Sequence, residues 1–181
     1  PSFENFISSL KKTKTKNDKL VVMLSHMGGI INPDIIKISN YCKKKNIKLL
    51  EDCAHSFGAT INKKHSGLFG DSGVYSFYAT KAIPAGEGGI LVSKDKKLIK
   101  LAQRYVKYDR FEQNMSIGIN FRVSELQALL IFSAIKNYKK IIKNKYKIFK
   151  IYEKFCKKNN IKFIDQYKKG TGNHYKFTII N

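Results

Sequence analysis

The stretch LVVMLSHMGGIINPDIIKISNYCKKKNIKLLED (20–52) reads as a β–α–β unit. Residues 20–26 are almost continuously apolar, the pattern of a strand buried on both faces. Gly28 and Gly29 break the run, and a helix follows from about Pro33, because proline is tolerated at an early helical position. Ile35, Ile36, Ile38 and Tyr41 form the helix's inner stripe, and Asn46 is its stop. IKLLED (47–52) is a second buried strand that ends in two carboxylates. Consecutive strands joined through a helix run parallel with a right-handed crossover, so the class is α/β with a mostly parallel sheet and helices on both faces.

Upstream of this unit, SFENFISSLKKTK (2–14) sets Phe3, Phe6, Ile7 and Leu10 at helical spacing, with Ser2 at its start. Downstream, FGATINKKHSG (57–67) is a short hairpin, while SGVYSFYA (72–79) and GGILVS (88–93) are strands. A helix from about Asp95 to Val106 precedes the polar, irregular stretch YDRFEQNMSIGINF (108–121). Residues 123–159 are expected as one long amphipathic helix, weakly capped by Ser124, with Leu126, Leu129, Leu130, Ser133, Ile135, Tyr138, Ile142, Tyr146, Phe149 and Phe155 along its apolar face. IKFI (161–164) and HYKFTII (174–180) then read as strands of a second, smaller unit. The expected organisation is part of a large domain over 1–122, a connecting helix over 123–159, and the start of a small α+β domain over 160–181.

The whole chain has 181 residues, a formal net charge of +22 and 43% hydrophobic residues. That hydrophobic share supports a core and excludes a fully disordered chain. The charge suggests nucleic acid, and a Lys-rich nucleic-acid-binding module is a rival reading. Against it, only Arg104, Arg110 and Arg122 are arginines, the residue best suited to bidentate readout. The lysines are dispersed and accompany many Ile and Asn, as a codon bias would produce. No specific nucleic-acid partner is therefore expected. Cys42, Cys53 and Cys156 are widely spaced and form no metal-ligand pattern, so the expectation is reduced thiols, a cytoplasmic setting and no metal. No apolar run approaches the roughly 20 residues of a membrane helix, so no membrane partner is expected either.

Four features fall at strand ends, where open α/β sheets place ligands. Asp52 directly follows a buried strand, which is costly for a carboxylate without a partner, although a turn cap accounts for it equally well. His55 lies three residues on; alone, it reads as an ordinary surface or core histidine. SFYATK (76–81) sets Ser76 five residues before Lys81, which is flanked by small residues. GEGG (86–89) permits sharp turning and close ligand approach, but lacks the GK[ST] of a P-loop. Taken together, an amine, a carboxylate and a hydroxyl donor are what pyridoxal phosphate requires: a Schiff-base partner, a partner for its pyridine nitrogen, and a phosphate ligand.

The run EDCAHSFGATINKKHSGLFGDSGVYSFYATKAIPAGEGGILVS (51–93) resembles the signature region of the DegT/DnrJ/StrS family, fold-type-I pyridoxal-phosphate-dependent aminotransferases of nucleotide-linked keto-sugars. SHMGG (25–29), GINFRVSELQA (118–128) and HYKF (174–177) are similar to further motifs of that family, in the same order. The resemblance implies a fold-type-I large domain that binds pyridoxal 5'-phosphate. It assigns Asp52 to the pyridinium nitrogen and Lys81 to the Schiff base and proton shuttle. His55 is placed near the ring and its phenolic oxygen, where many relatives carry Gln, and Ser76 at the phosphate. Asn120 would reach the phosphate of a neighbouring subunit in a homodimer with shared active sites, and Arg122 would help anchor the same motif. Relatives that perform dehydration carry histidine where this chain has Lys81. The implied reaction takes an amino group, from glutamate, to a nucleotide sugar for surface polysaccharide or lipopolysaccharide synthesis. Full-length relatives are about twice as long, and the chain opens with Pro1, so the sequence is expected to be the middle of an enzyme. An inactive truncated relative is thus the second rival. YVKYDRF (105–111) also lacks a His-Gly common in relatives.

Overall fold

In a computed structural model, the structure describes residues 1–16, 19–107, 118–165 and 170–180. The expected irregular loop falls in its 108–117 part outside the described residues, as does most of YVKYDRF.

The chain order is α1 (Phe3–Lys11), β1 (Val21–Ser25), a 3-10 turn (Met27–Gly29), α2 (Ile35–Lys44), β2 (Lys48–Asp52), the hairpin β3 (Thr60–Ile61) and β4 (Lys64–His65), β5 (Ser72–Ser76), β6 (Gly89–Ser93), α3 (Lys96–Val106), α4 (Glu125–Lys136) and α5 (Tyr138–Lys158). The main sheet has the order β1-β2-β5-β6. β1, β2 and β5 are parallel, with Ser25 opposite Asp52 and Asp52 opposite Val74. β6 returns antiparallel to β5, with Ser76 opposite Gly89. The C-terminal ends of β1, β2 and β5 therefore open onto one edge of the sheet.

Local chemistry sets these elements. Ser2 caps α1 by accepting from Asn5 N–H, and Asp95 caps α3 by accepting from Lys97 and Leu98. Asn46 ends the α2 region at φ 53°, and the β3–β4 turn places Asn62 and Lys63 at φ 50° and 62°, as a tight hairpin turn demands. One core cluster gathers Phe6, Leu24, Ile35, Ile38, Cys42 and Leu49 from α1, α2, β1 and β2. A second joins Phe77, Ile83, Ala85 and Ile131, with Phe57, Ile135 and Tyr138 against it.

Five expectations need correction. β1 is not buried on both faces: it is an edge strand, and Val21 and Met23 are 63% and 65% exposed. The inner stripe of α2 holds Ile35, Ile38 and Tyr41 as expected and adds Cys42, but Ile36 points outward. The single helix over 123–159 is two, α4 and α5, divided at Asn137. There the backbone leaves the helix (φ −97°, ψ 2°) and the side-chain amide donates to Ser133 O. Ser124 forms a complete capping box with Gln127 and is not a weak cap. The apolar stripe differs in part: the expected Ile135, Tyr138 and Ile142 pack inward and Ile131 and Ala134 join them, while Leu126, Leu129 and Leu130 are exposed. Segments 161–164 and 174–180 do meet, antiparallel, through a Phe163–Ile179 bridge. Phe163 and Phe177 stack on each other, and both lie against Phe149 of α5.

Candidate active site

Asp52 ends β2 with both carboxylate oxygens oriented. Ser25 Oγ, its opposite number on β1, donates to Oδ2 at 3.0 Å, and Ala54 N–H donates to Oδ1 at 3.0 Å. The turn cap considered for Asp52 is therefore real and coexists with its place at the sheet edge. His26 N–H donates to the Asp52 carbonyl at 2.9 Å.

Lys81 lies on the loop between β5 and β6. That loop is pinned: Phe77 N–H donates to Gly88 O, Ala85 N–H to Phe77 O, and Lys81 N–H to Tyr78 O, each at 2.9 Å. Phe77, Ala82 and Ile83 are buried, so the loop is anchored by its apolar side chains while Lys81 stays half-buried. Gly88 adopts φ 130°, and a Cβ there would meet Ile131 Cδ1 at 2.7 Å, so the GEGG turn is glycine-specific for packing. Ser76, at the end of β5, accepts from Tyr78 N–H at 3.3 Å.

His55 ties these groups together. Burial, the Lys81 charge and the Lys176 charge hold its imidazole below the ordinary range, with Asp52 opposing them. His55 Nδ1 accepts from Gly28 N–H at 3.4 Å, and its ring lies 4.7 Å from the Tyr175 ring, tilted at 48°. Asp52 and Ser76 thus end neighbouring strands, with His55 in the turn after β2 and Lys81 in the loop after β5. Asn120 is placed elsewhere: it is exposed, bridges Lys107 and accepts from Arg122 Nε at 3.1 Å.

Beneath the site lies a buried pair that the sequence reading missed. His26 Nε2 is 2.9 Å from Glu51 Oε2. Asn32 N–H donates to His26 Nδ1 at 3.1 Å, so Nε2 carries the proton toward Glu51. Glu51 also accepts from Gly67 at 2.8 Å and from Phe69 and Gly70 at 2.6 Å each. Burial raises the Glu51 carboxyl, but the bonds from His26, Gly70 and Gly67 outweigh it, and the net direction is down. Ligand atoms of His26, Glu51 and Cys53 lie within 4.8 Å of one another. Their chemistry is that of a hydrogen-bonded plug: the His26 and Glu51 acceptors are engaged, and burial pushes the Cys53 thiol up to about 12. The available sequence signal was the HMGG and ED motifs at the ends of neighbouring parallel strands.

A carboxylate and a hydroxyl at the carboxyl ends of neighbouring parallel strands, with an imidazole and an amine on the segments that follow, stand where open α/β sheets bind ligands. Residues 7–180 match the model of the DegT/DnrJ/EryC1/StrS aminotransferase family, and the chain belongs to that family. Among curated relatives, it is 31% identical over 156 residues to GDP-perosamine synthase of Vibrio cholerae, covering 83% of this chain and 42% of that protein. Among solved structures, it superposes on Helicobacter pylori PseC, an aminotransferase involved in the biosynthesis of pseudoaminic acid, with TM-score 0.84 and 25% identity. That match covers 94% of this chain and 47% of PseC. It also superposes on E. coli GDP-4-keto-6-deoxy-D-mannose-3-dehydratase with bound hydrated PLP, with TM-score 0.74 and 25% identity, covering 96% of this chain and 49% of that one. The chain spans less than half the length of the curated relative and of PseC.

Proposed function

We propose that this chain carries the cofactor-binding centre of a pyridoxal-phosphate-dependent aminotransferase that moves an amino group from glutamate to a nucleotide-linked keto-sugar. The observation that carries it is Asp52, its carboxylate held by Ser25 and Ala54, at the C-terminal end of β2 beside the strand that ends in Ser76 and runs on into the Lys81 loop. The donor set fits the cofactor: an amine on a pinned loop, a carboxylate with both oxygens oriented, an imidazole three residues after it and a hydroxyl one strand away. When bound, pyridoxal phosphate supplies an aldehyde that condenses with amines and a ring that accepts electrons.

Asp52 would hold a proton on the ring nitrogen, and its carboxylate is held for this by Ser25 and Ala54. His55 would lie against the ring near its phenolic oxygen. Ser76 would donate to the phosphate. Lys81 would hold the cofactor covalently and move the proton at the reacting carbon. The presence of Lys81 favours amination over the dehydration branch. Asn120 would serve the phosphate of a second copy in a homodimer. Support for that assembly is the exposed apolar set beside it: Phe121, Leu126, Leu129 and Phe132. The setting would be cytoplasmic synthesis of an amino sugar for a surface polysaccharide such as lipopolysaccharide. No described helix is long and apolar enough to cross a membrane. The domain reading follows the same lines: 1–122 in the cofactor-binding domain, α4 and α5 as connector, 160–181 in the small domain.

The test is a titration of the chain with pyridoxal phosphate, followed by absorbance. Wild type should give a visible band distinct from free cofactor, Lys81→Ala should give none, and glutamate should bleach the wild-type band. A wild-type spectrum identical to free cofactor, or an undiminished band in Lys81→Ala, sinks the assignment.

A further inference from the structure

We propose that Asn173 is a positioning residue for this site: its carboxamide locks the backbone of residues 55–57, and with Tyr175 and Gly28 it fixes where the His55 ring stands. The inference rests on reading Asp52, His55 and Lys81 as the cofactor site. Asn173 is fully buried. Its Nδ2 donates to His55 O at 2.7 Å and to Phe57 O at 3.0 Å, and its Oδ1 accepts from Tyr175 N–H at 3.0 Å. Two carbonyls and one N–H therefore dictate which way the amide faces, since only nitrogen can meet the carbonyls and only oxygen the N–H. Its own backbone N–H donates to Gly29 O at 3.0 Å, and Lys176 N–H donates to Gly28 O at 3.1 Å.

The short segment 173–176 thus grips both the turn after β1 and the loop after β2. His55 is held between these two grips: Gly28 N–H reaches its Nδ1, and Tyr175 covers its ring. Gly29 is fitted to this latch. It has φ 94°, and a Cβ there would overlap Asn173 Oδ1. With Nδ1 accepting, a neutral His55 carries its proton on Nε2. The charged or titratable groups facing it are Lys81, Asp52, Lys176 and Tyr175.

Ring-nitrogen NMR of His55 in the cofactor-free chain, assigned with His55→Gln, tests the latch. Wild type should show the Nε2–H form. In Asn173→Ala, and in Asn173→Asp, which keeps the shape but turns an acceptor on the two carbonyls, the ring should become a tautomer mixture. The dissociation constant for pyridoxal phosphate should rise about tenfold, the loss expected for one well-placed hydrogen bond. An unchanged His55 spectrum in folded variants overturns the proposal. Should the variants not fold, the wild-type chain still decides: slow exchange of the Asn173 side-chain amide protons supports the latch, and exchange at the rate of a free amide overturns it. Failure of the cofactor reading would appear separately, as a missing visible band in a wild type whose His55 spectrum is as expected.

Discussion

Four donors converge on the two oxygens of Glu51: the His26 imidazole and the N–H groups of Gly67, Phe69 and Gly70. Glu51→Gln keeps the volume but turns an amide nitrogen toward donors, so urea unfolding should show a loss of about 3 kcal/mol. A loss below about 0.5 kcal/mol would show that the donors find other partners. The pH dependence has a definite sign. The folded Glu51 carboxyl lies below its ordinary value of 4.5, so its contribution is complete above that value and disappears as pH falls through the folded one. Wild type should therefore lose more stability than Glu51→Gln on acidification below about 4.5. At this scale the sequence was partly legible. Asp52, Ser76 and Lys81 stood out because each follows an apolar strand. His26, Glu51, Asn173 and Tyr175 did not, because their meaning lies in partners 16 to 120 positions away.

Elements were legible where one local rule decided them. Ser2 and Asp95 announced their helices, and the β–α–β run announced its parallel pair. Where the hydrophobic pattern was degenerate, periodicity failed. In ELQALLIFSAIK apolar residues surround the helix, so nothing in the segment says that Ile131 rather than Leu129 faces inward. Likewise, an apolar strand at a sheet edge looks like one in the middle, and Val21 and Met23 lie exposed. The capping box at the start of α4 is a local feature and should behave as one. Ser124→Ala should cost about 1 kcal/mol in urea unfolding and leave the cofactor spectrum unchanged. A cost near zero would mean that α4 is held by packing alone.

For the whole molecule, a net charge of +22 is a field, not a site. Among the described residues, lysine ion pairs such as Lys48 with Asp71 and Lys150 and Lys157 with Glu153 are exposed on the lysine side, and pairs of that kind contribute little. Self-repulsion should therefore dominate the response to salt. The melting temperature should rise between about 0.01 M and about 1 M ionic strength, as the screening length falls from about 30 Å to about 3 Å. A falling melting temperature would show that the pairs outweigh the repulsion.

The antiparallel return of β6 has a consequence of its own. In a purely parallel sheet, the segment after β5 would cross a face of the fold before re-entering the sheet. Here residues 77–88 leave from one rung of the ladder and come back to the rung beside it, with Ser76 and Gly89 facing each other at the mouth. The segment is closed by its own pairing and plugged by Phe77 and Ile83. The lysine amine it carries thus takes its coordinates from a loop closed by its own strand pair and seated, through Phe77, Ile83 and Ala85, on Ile131 of α4.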